Sequence, residues 1–562
     1  MKTPRFIAAV SLAFVVLTHS ASTAPSDLDL TFGGTGKVTT LGGRGKSMVQ
    51  DSDGKIIVVG DDGFATFIGR RYNSDGSLDI SFADSLLPSR GEVGVGNSVA
   101  VQSDGKIVIV GYMFDDYGYP TFMTARHNRD GSLDTTFGGT GIVTTDIRAG
   151  AYDEAECVVV QSDGKIIAAG WVNNLFGFDF AMVRYNSNGS LDTNFGNSGI
   201  VRTDFGSRDM GRSMALQAGG NIVIVGSSGG IGNEDFAIVR YNPDGSPDSS
   251  FGSGGKVMTP ISGGEDIATS VALQADGKIV VAGHAGSGIS ADFAVVRYAA
   301  NGALDQTFNS TGKVTTPVGG NKDLGNCVAI QSGGIIVVSG VTYNGSNDDS
   351  AVVRYLSDGR LDTSFGGNGK VVTAFGTGDD GGVSVGVQSN GRIIVAGYAR
   401  ISQADHFTVV RYEGDPDTDS DGIPDRYETG TGIYVSPTDT GTSPINPDSD
   451  EDGLTDGQEV NTYHTNPNKK DTDGDGWDDA YEIANGFDPN STASTPDTLS
   501  SILPAVEYRF HVALGISYRI ESSTDLATWM TIETPIMGTG GVITRLYSIE
   551  GQPKQFFRSR RN

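Results

Sequence analysis

The stretch Val271-Ala-Leu-Gln-Ala-Asp-Gly-Lys-Ile-Val-Val-Ala-Gly283, followed by Phe293-Ala-Val-Val-Arg-Tyr298, reads as three short strands. Val, Ile and Ala fill them, and Gly, Asp or Asn bound them. Asp276-Gly277 separates the first from the second as a tight hairpin turn, whose two central residues need positive φ. Lys256–Thr259 is a further strand just upstream, giving four strands per unit.

This unit recurs. Its Arg-Tyr pair appears at Arg71-Tyr72, Arg126-His127, Arg184-Tyr185, Arg240-Tyr241, Arg297-Tyr298, Arg354-Tyr355 and Arg411-Tyr412, a step of about 57 residues. A marker Gln keeps the same step at Gln50, Gln102, Gln161, Gln217, Gln274, Gln331 and Gln388. So does the Asp of a Leu-Asp pair: Asp29, Asp79, Asp134, Asp192, Asp248, Asp305 and Asp362, with Pro247 once replacing Leu. Seven four-stranded units without an amphipathic helix predict an all-β fold containing a seven-bladed β-propeller. Closing the ring covers the faces that one blade cannot bury alone. An open β-solenoid is the alternative, but its coils are usually shorter.

Segments such as Ser190-Leu-Asp-Thr-Asn-Phe-Gly196, Val271–Gly283 and Phe293–Tyr298 resemble delta-60 repeats over about residues 27–412. The resemblance implies a secreted or surface propeller and implies no particular activity. The second unit departs most, with Ala83 to Arg90 in place of a Gly-rich turn and His127 in place of Tyr.

A residue present in every unit is read first as scaffold. Each Arg is expected to tie its blade to the following Leu-Asp turn through an ion pair; the alternative is a charged ring around a ligand. Function is sought where the units differ. The variable segments, expected as loops between the third and fourth strands, are Tyr112–Thr121, Trp171–Phe178, His284–Ala291, Val341–Asp349 and Tyr398–His406, rich in aromatic and acidic residues and expected on one face as a ligand surface. Cys157 and Cys327 hold equivalent places three blades apart, beyond the roughly 4.4–6.8 Å Cα separation of a disulfide. Two buried free thiols are predicted.

After Tyr412 a different pattern begins. A twelve-residue loop occurs three times: Asp417-Thr-Asp419-Ser-Asp421-Gly422-Ile423-Pro-Asp425-Arg-Tyr-Glu428, Asp448-Ser-Asp450-Glu-Asp452-Gly453-Leu454-Thr-Asp456-Gly-Gln-Glu459, and Asp471-Thr-Asp473-Gly-Asp475-Gly476-Trp477-Asp-Asp479-Ala-Tyr-Glu482. Acids stand at positions 1, 3, 5, 9 and 12, with Gly at 6 for the sharp turn and a backbone carbonyl at 7 (Ile423, Leu454, Trp477) as a further oxygen. Ca²⁺ is a hard ion that takes six to eight oxygens, and alternate carboxylates on a curling loop converge on one centre. About three Ca²⁺ ions are therefore expected as the cofactor; Mg²⁺, which prefers a tight octahedron, fits less well. Pro416 and Pro447 argue against an entering helix, while short helices are expected around Asp456–Tyr463 and Asp478–Asn485. With the intervening Asn-Pro segments, residues 415–490 resemble bacterial thrombospondin type 3-like repeats, which implies a calcium-stiffened spacer.

The rest of the chain sets the context. Lys2 and Arg5, the apolar run Phe6–Leu17 and small residues to Ala24 read as a secretory signal, too short to span a bilayer. The expected domains are a signal peptide (1–24), the propeller (25–412), the calcium segment (413–496) and a small β-sandwich-like domain (500–562). The formal net charge is −28, and residues 413–490 hold 21 acids against 3 basic residues. Such a chain repels nucleic acid and anionic membranes. The functional expectation is a secreted or cell-surface, calcium-binding, non-enzymatic adhesion or scaffold protein with an extracellular partner, a polysaccharide or a protein. The alternative is a secreted propeller hydrolase or lyase acting on a carbohydrate or other small extracellular substrate. The two are told apart by whether acids or His from different blades meet at one mouth of the ring.

Overall fold

Sequence unit and structural blade are out of phase by one strand. In the computed structural model, Lys256–Thr259 pairs antiparallel with Asn233–Tyr241, so it forms the outer edge of the preceding blade. The same offset places Lys37–Leu41, the first strand among the described residues, against Ala404–Tyr412 as the outer strand of the seventh blade. The structure describes residues 24, 26–63, 67–82, 94–174, 177–415, 417–419, 421–437, 439–494, 505–523, 526, 528–537, 540–548 and 556–561. The signal segment and Ala83–Arg90 lie outside them, save Ala24.

Each blade starts on an inner strand. These are Arg44–Gln50, Gly94–Val101, Asp153–Val160, Arg208–Leu216, Asp266–Leu273, Asp323–Ile330 and Asp380–Val387. Each inner strand packs against its neighbours before and after, and the seventh packs against the first, so the ring closes. Ser side chains stitch these strands across blades: Val99 N donates to Ser47 Oγ (3.3 Å), Val328 N to Ser270 Oγ (3.1 Å) and, at the closure, Met48 N to Ser384 Oγ (3.2 Å). Each inner strand also carries a bulge, as at Ala268/Ser270. The bulged residues reach around the ring, Asn97 Nδ2 to Ala155 O (3.1 Å) and Asn326 Nδ2 to Gly382 O (3.0 Å).

The recurrent Arg is scaffold, and it does more than close its own turn. Arg126, Arg240 and Arg297 lie 2.8 Å from Asp134, Asp248 and Asp305, and Arg411 lies 2.6 Å from Asp29. Each guanidinium also sits over a Phe ring of the same turn, as Arg184 over Phe195 at 4.1 Å. Its other nitrogen reaches a carbonyl of the next blade, as Arg184 to Pro243 O and Arg411 to Ser74 O, both at 2.6 Å, while Arg354 pairs with Asp415 at 2.9 Å. The Tyr of the pair also ties blades together, as Tyr241 Oη to Thr203 Oγ1 (2.6 Å).

Several expectations need correction. At the hairpin only Gly277 has positive φ (80°), and Gly277 N donates to Gln274 O, so a turn ended by a left-handed Gly replaces the two-residue hairpin. In the first unit Asp51, not Gln50, closes that turn: Asp51 N donates to Lys55 O as Gln102 N does to Lys106 O. Much of these variable segments is strand rather than loop, although His284–Ala291 leaves its strand after Ala285. Trp171–Phe178 continues the ladder Ile166–Asn174 against Gly177–Tyr185, since backbone pairing persists to Asn174↔Gly177. Both thiols are free, but only Cys157 is buried; Cys327 is half-buried.

The chain divides into two compact units, one ending at Thr418 and the other beginning at Asp419. In the second, five strands among the described residues form two small sheets: Ala505–His511 with Val542–Ser548, and Ser517–Ser523 between Met530–Met537 and Phe556–Arg561. Phe510, Val512, Tyr518, Ile520 and Ile536 form their core.

Candidate metal centres and the axial mouth

In the second acidic loop, carboxylate oxygens of Asp448, Asp450 and Asp452 all lie within 4.8 Å of one another; those of Asp471, Asp473 and Asp475 do the same in the third. The local backbone explains the convergence. Gly453 and Gly476 take φ of 105° and 100°, and their amides donate to the position-1 carboxylates, Asp448 Oδ2 (3.1 Å) and Asp471 Oδ2 (2.8 Å). A side chain at position 6 would be strained in that conformation. The position-5 carboxylates are held by the next amide but one, Leu454 N to Asp452 Oδ1 (2.7 Å) and Trp477 N to Asp475 Oδ1 (3.0 Å).

What remains is a set of buried oxygens without a protein partner: Asp448 Oδ1, Asp450 Oδ2 and Glu459 Oε2, then Asp473 Oδ2, Asp475 Oδ2 and both oxygens of Glu482. Glu459 and Glu482 are fully buried. An orphaned buried carboxylate is costly, and a hard cation satisfies several at once. Burial, then Asp450 and Asp452, pushes the Glu459 carboxyl up to about 9. Burial, then Asp475 and Asp473, raises Glu482 to about 7. Oxygen-only, strongly anionic donor sets of this kind fit Ca²⁺.

The other expected ligands fall as follows. Leu454 and Ile423 are buried at position 7, and Trp477 stacks on Tyr481 at 4.9 Å. The unit boundary runs through the first loop: Asp417 belongs to the propeller unit, while Asp419, Asp421, Ile423, Asp425 and Glu428 belong to the second. Asp425 opens the short 3-10 turn Asp425–Tyr427. Position 9 is tied back to position 2. Asp456 accepts from Ser449 N (2.7 Å) and Oγ (2.6 Å), and Asp479 accepts from Thr472 N (2.9 Å) and Oγ1 (2.7 Å). The expected exit helices are present as Asp456–Gln458 continued by Glu459–Tyr463, and as Asp479–Asn485. Sequence reasoning missed the hydroxyls that orient position 12: Thr442 donates to Glu428 Oε1 (3.1 Å) and Thr465 to Glu459 Oε1 (3.2 Å).

The propeller holds a second polar group. At one register of the two innermost strands stand Arg44 opposite Asp61, Val95 opposite Tyr112, Glu154 opposite Trp171, Ile267 opposite His284 and Gly381 opposite Tyr398. Lys46 bridges Asp61 (2.9 Å) and Asn97 (3.3 Å), and Trp171 Nε1 donates to Glu156 (3.1 Å). Burial, then the charge of Glu156, lifts Glu154 to about 7 against the opposing pull of Lys46. Asp380 lies apart from this group: it is fully buried and accepts from Phe375 N (2.6 Å). Its counterparts Asp153, Asp209, Asp266 and Asp323 are likewise fully buried and brace the loops that enter each blade. Their regular step was legible in the sequence and was overlooked.

Blades stitched in this way, followed by oxygen-donor loops, define a repeat β-propeller protein with a calcium-type acidic segment. Seven segments (52–82, 102–137, 161–195, 217–251, 274–308, 331–365 and 388–420) match the family described as "Domain of unknown function (DUF5122) beta-propeller", and 448–470 and 471–492 match the bacterial TSP3 repeat. The chain thus carries DUF5122 propeller repeats and bacterial TSP3 repeats, in agreement with the delta-60 and thrombospondin type 3-like resemblance. A comparison with curated proteins gave no match. Similar solved structures include polysaccharide lyase Uly1 (11% identity, 65% of this chain and 89% of that one, TM-score 0.39). Others are a glucose dehydrogenase (11%, 54% and 94%, TM-score 0.34) and the GH43 endo-arabinanase from Bacillus licheniformis (10%, 52% and 96%, TM-score 0.29). At these scores the likeness carries no inference about this chain. Among the described residues no helix is long and apolar enough to cross a membrane.

Proposed function

We propose that this is a secreted or cell-surface binding protein whose acidic segment is folded and stiffened by about three Ca²⁺ ions, with the propeller as its recognition head. The observation that carries the reading is the set of buried, partnerless oxygens on Asp448, Asp450, Glu459, Asp473, Asp475 and Glu482. Left without a cation they would repel one another and loosen the segment. Asp419, Asp421, the Ile423 carbonyl, Asp425 and Glu428 supply the ligands that the second unit offers the first loop. The position-7 carbonyls of Leu454 and Trp477, with the acids already named, supply those of the second and third. The partner is an extracellular polysaccharide or protein met by the face that carries Tyr112, Trp171, His284 and Tyr398. Isothermal titration of Ca²⁺ into the chelator-stripped full chain tests this, with circular dichroism before and after. About three ions bound with a gain of structure is expected, and no binding would reduce the segment to an acidic linker.

The group around Glu154 favours a second reading, a hydrolase or lyase at the axial mouth. A carboxyl poised near neutrality beside a second carboxylate and a Lys is the kind of constellation acid–base chemistry uses. Turnover of a polysaccharide panel by the wild type, abolished in Glu154→Gln, would establish it.

A further inference from the structure

The three oxygen clusters within the second unit are not divided one loop at a time. Asp448, Asp450 and Asp452 cluster without Asp456, the position-9 acid of their own loop, and Asp471, Asp473 and Asp475 cluster without Asp479. Asp456 instead lies with Asp421 and Glu428 of the preceding loop, one oxygen of each within 4.8 Å of the others. All three are buried, at 0%, 9% and 5% exposure, and Glu428 Oε2 has no hydrogen-bond partner. Oxygens on opposite sides of one Ca²⁺ stand about 4.6–5.2 Å apart, so this spacing suits a shared ion.

The backbone supports the same junction. Gly457 N donates to Asp421 Oδ2 (3.0 Å), and a Cβ at Gly457 would lie 2.0 Å from Asp421 O. At this junction glycine leaves room for the backbone of the first loop. Ser449 N and Oγ hold the two oxygens of Asp456 and fix its direction. The next junction repeats the contact, with Ala480 N donating to Asp452 Oδ2 (3.1 Å).

We propose that calcium sites are shared between successive loops: Asp456 of the second loop completes the ion of the first, together with Asp421 and Glu428, and Asp479 of the third completes the ion of the second. This rests on the calcium reading above and reassigns position 9. Each ion then clamps two loops, and the third loop, with no fourth acidic loop after it, has the least complete site.

The position-6 glycine amides report each loop separately, because Gly453 N and Gly476 N donate to the position-1 carboxylates and Gly422 holds the same place. Calcium is titrated into the ¹⁵N-glycine-labelled full chain, as wild type and as Asp456→Asn. The midpoint at Gly422 is expected to rise by about tenfold or more, with that at Gly453 changing by less than about twofold. A shift at Gly453 with Gly422 unmoved, or no shift at either, overturns the proposal. Should Asp456→Asn misfold, Asp479→Asn repeats the test one loop on, expected to weaken Gly453 and spare Gly476. Absence of any calcium response in the wild type would sink the calcium reading itself, an outcome distinct from a misplaced ligand.

Discussion

Arg411 Nε lies 2.6 Å from Asp29 Oδ2, so a buried ion pair joins the strand Ala404–Tyr412 of the seventh blade to the turn that precedes Lys37–Leu41. Both side chains are almost wholly shielded from solvent. The same guanidinium donates to Ser74 O of the first blade at 2.6 Å and lies over Phe32 at 4.7 Å. One side chain therefore closes the propeller through its own blade and into the next.

Removing one member of a buried pair leaves the other charge unpaired, which costs about 3–5 kcal/mol. Asp29→Ala is accordingly expected to destabilise the propeller by an amount of that order in urea unfolding. Arg360→Ala is the control. Its pair with Asp358 is exposed, at 73% and 44%, and exposed pairs contribute about 0–1 kcal/mol. Equal losses in the two variants would mean that the repeated Arg does not hold the ring.

Glu459 offers the second loop its position-12 oxygens from a fully buried site. Glu459→Gln keeps the shape and the hydrogen bond from Thr465 but removes the charge. The titration of the full chain is expected to lose about one ion at micromolar to millimolar calcium. An unchanged stoichiometry and affinity would place the ion elsewhere.

The pH dependence follows from the direction of the carboxyl shifts. Burial first, then neighbouring acids, raises Glu459 to about 9 and Glu428 to about 8, against an ordinary value of 4.5. Between those values the folded, calcium-free segment holds protons that the unfolded chain has released. Its stability is therefore greatest at low pH and falls as pH rises through about 8 to 9. In a chain with Trp477 as the sole tryptophan (W171F/W529F), the chelator-treated protein should show a lower urea midpoint at pH 8.5 than at pH 5.5. Saturating calcium should reverse the order, because the cation displaces the protons.

The fold was legible because its markers repeat. A spacing that returns Arg, Tyr, Gln and Asp in fixed order is a statement about blades whatever their detail. The phase was not legible. Lys256–Thr259 has the same strand character whether it opens one blade or ends another, and only its pairing with Asn233–Tyr241 decides. The acidic loops were legible as loops that converge carboxylates, because type and spacing repeat together, and the oxygens of Asp448, Asp450 and Asp452 and of Asp471, Asp473 and Asp475 do converge. What lay beyond sequence was which carboxylate faces which loop. Asp456 and Asp479 occupy the same position in their twelve-residue pattern as any position-9 ligand, and their anchoring by Ser449 and Thr472 depends on how the loop closes.

The two cysteines occupy places filled elsewhere by the inter-blade Ser, and this makes a prediction of sign as well as size. Ser270 Oγ accepts from Val328 N of the next blade at 3.1 Å, and Ser384 Oγ accepts from Met48 N at 3.2 Å. At Cys327 the larger sulfur instead lies 3.7 Å from Ser270 Oγ and 3.9 Å from Val385 O. Cys327→Ser should restore an accepting oxygen opposite Val385 N, where a net hydrogen bond is worth about 0.5–1.5 kcal/mol. The half-buried position means little apolar burial is lost in exchange. A small rise in the urea midpoint, or no change, is therefore expected, and a loss above about 2 kcal/mol would show that the thiol packs in a way the Ser pattern does not describe. Cys157 should behave differently. It is buried, its thiol is pushed up by burial and by the charge of Glu156, and its sulfur lies 3.6 Å from Ala169 O. Under native conditions it should resist alkylation while Cys327 reacts, and mass spectrometry of the iodoacetamide-treated chain reads both outcomes at once.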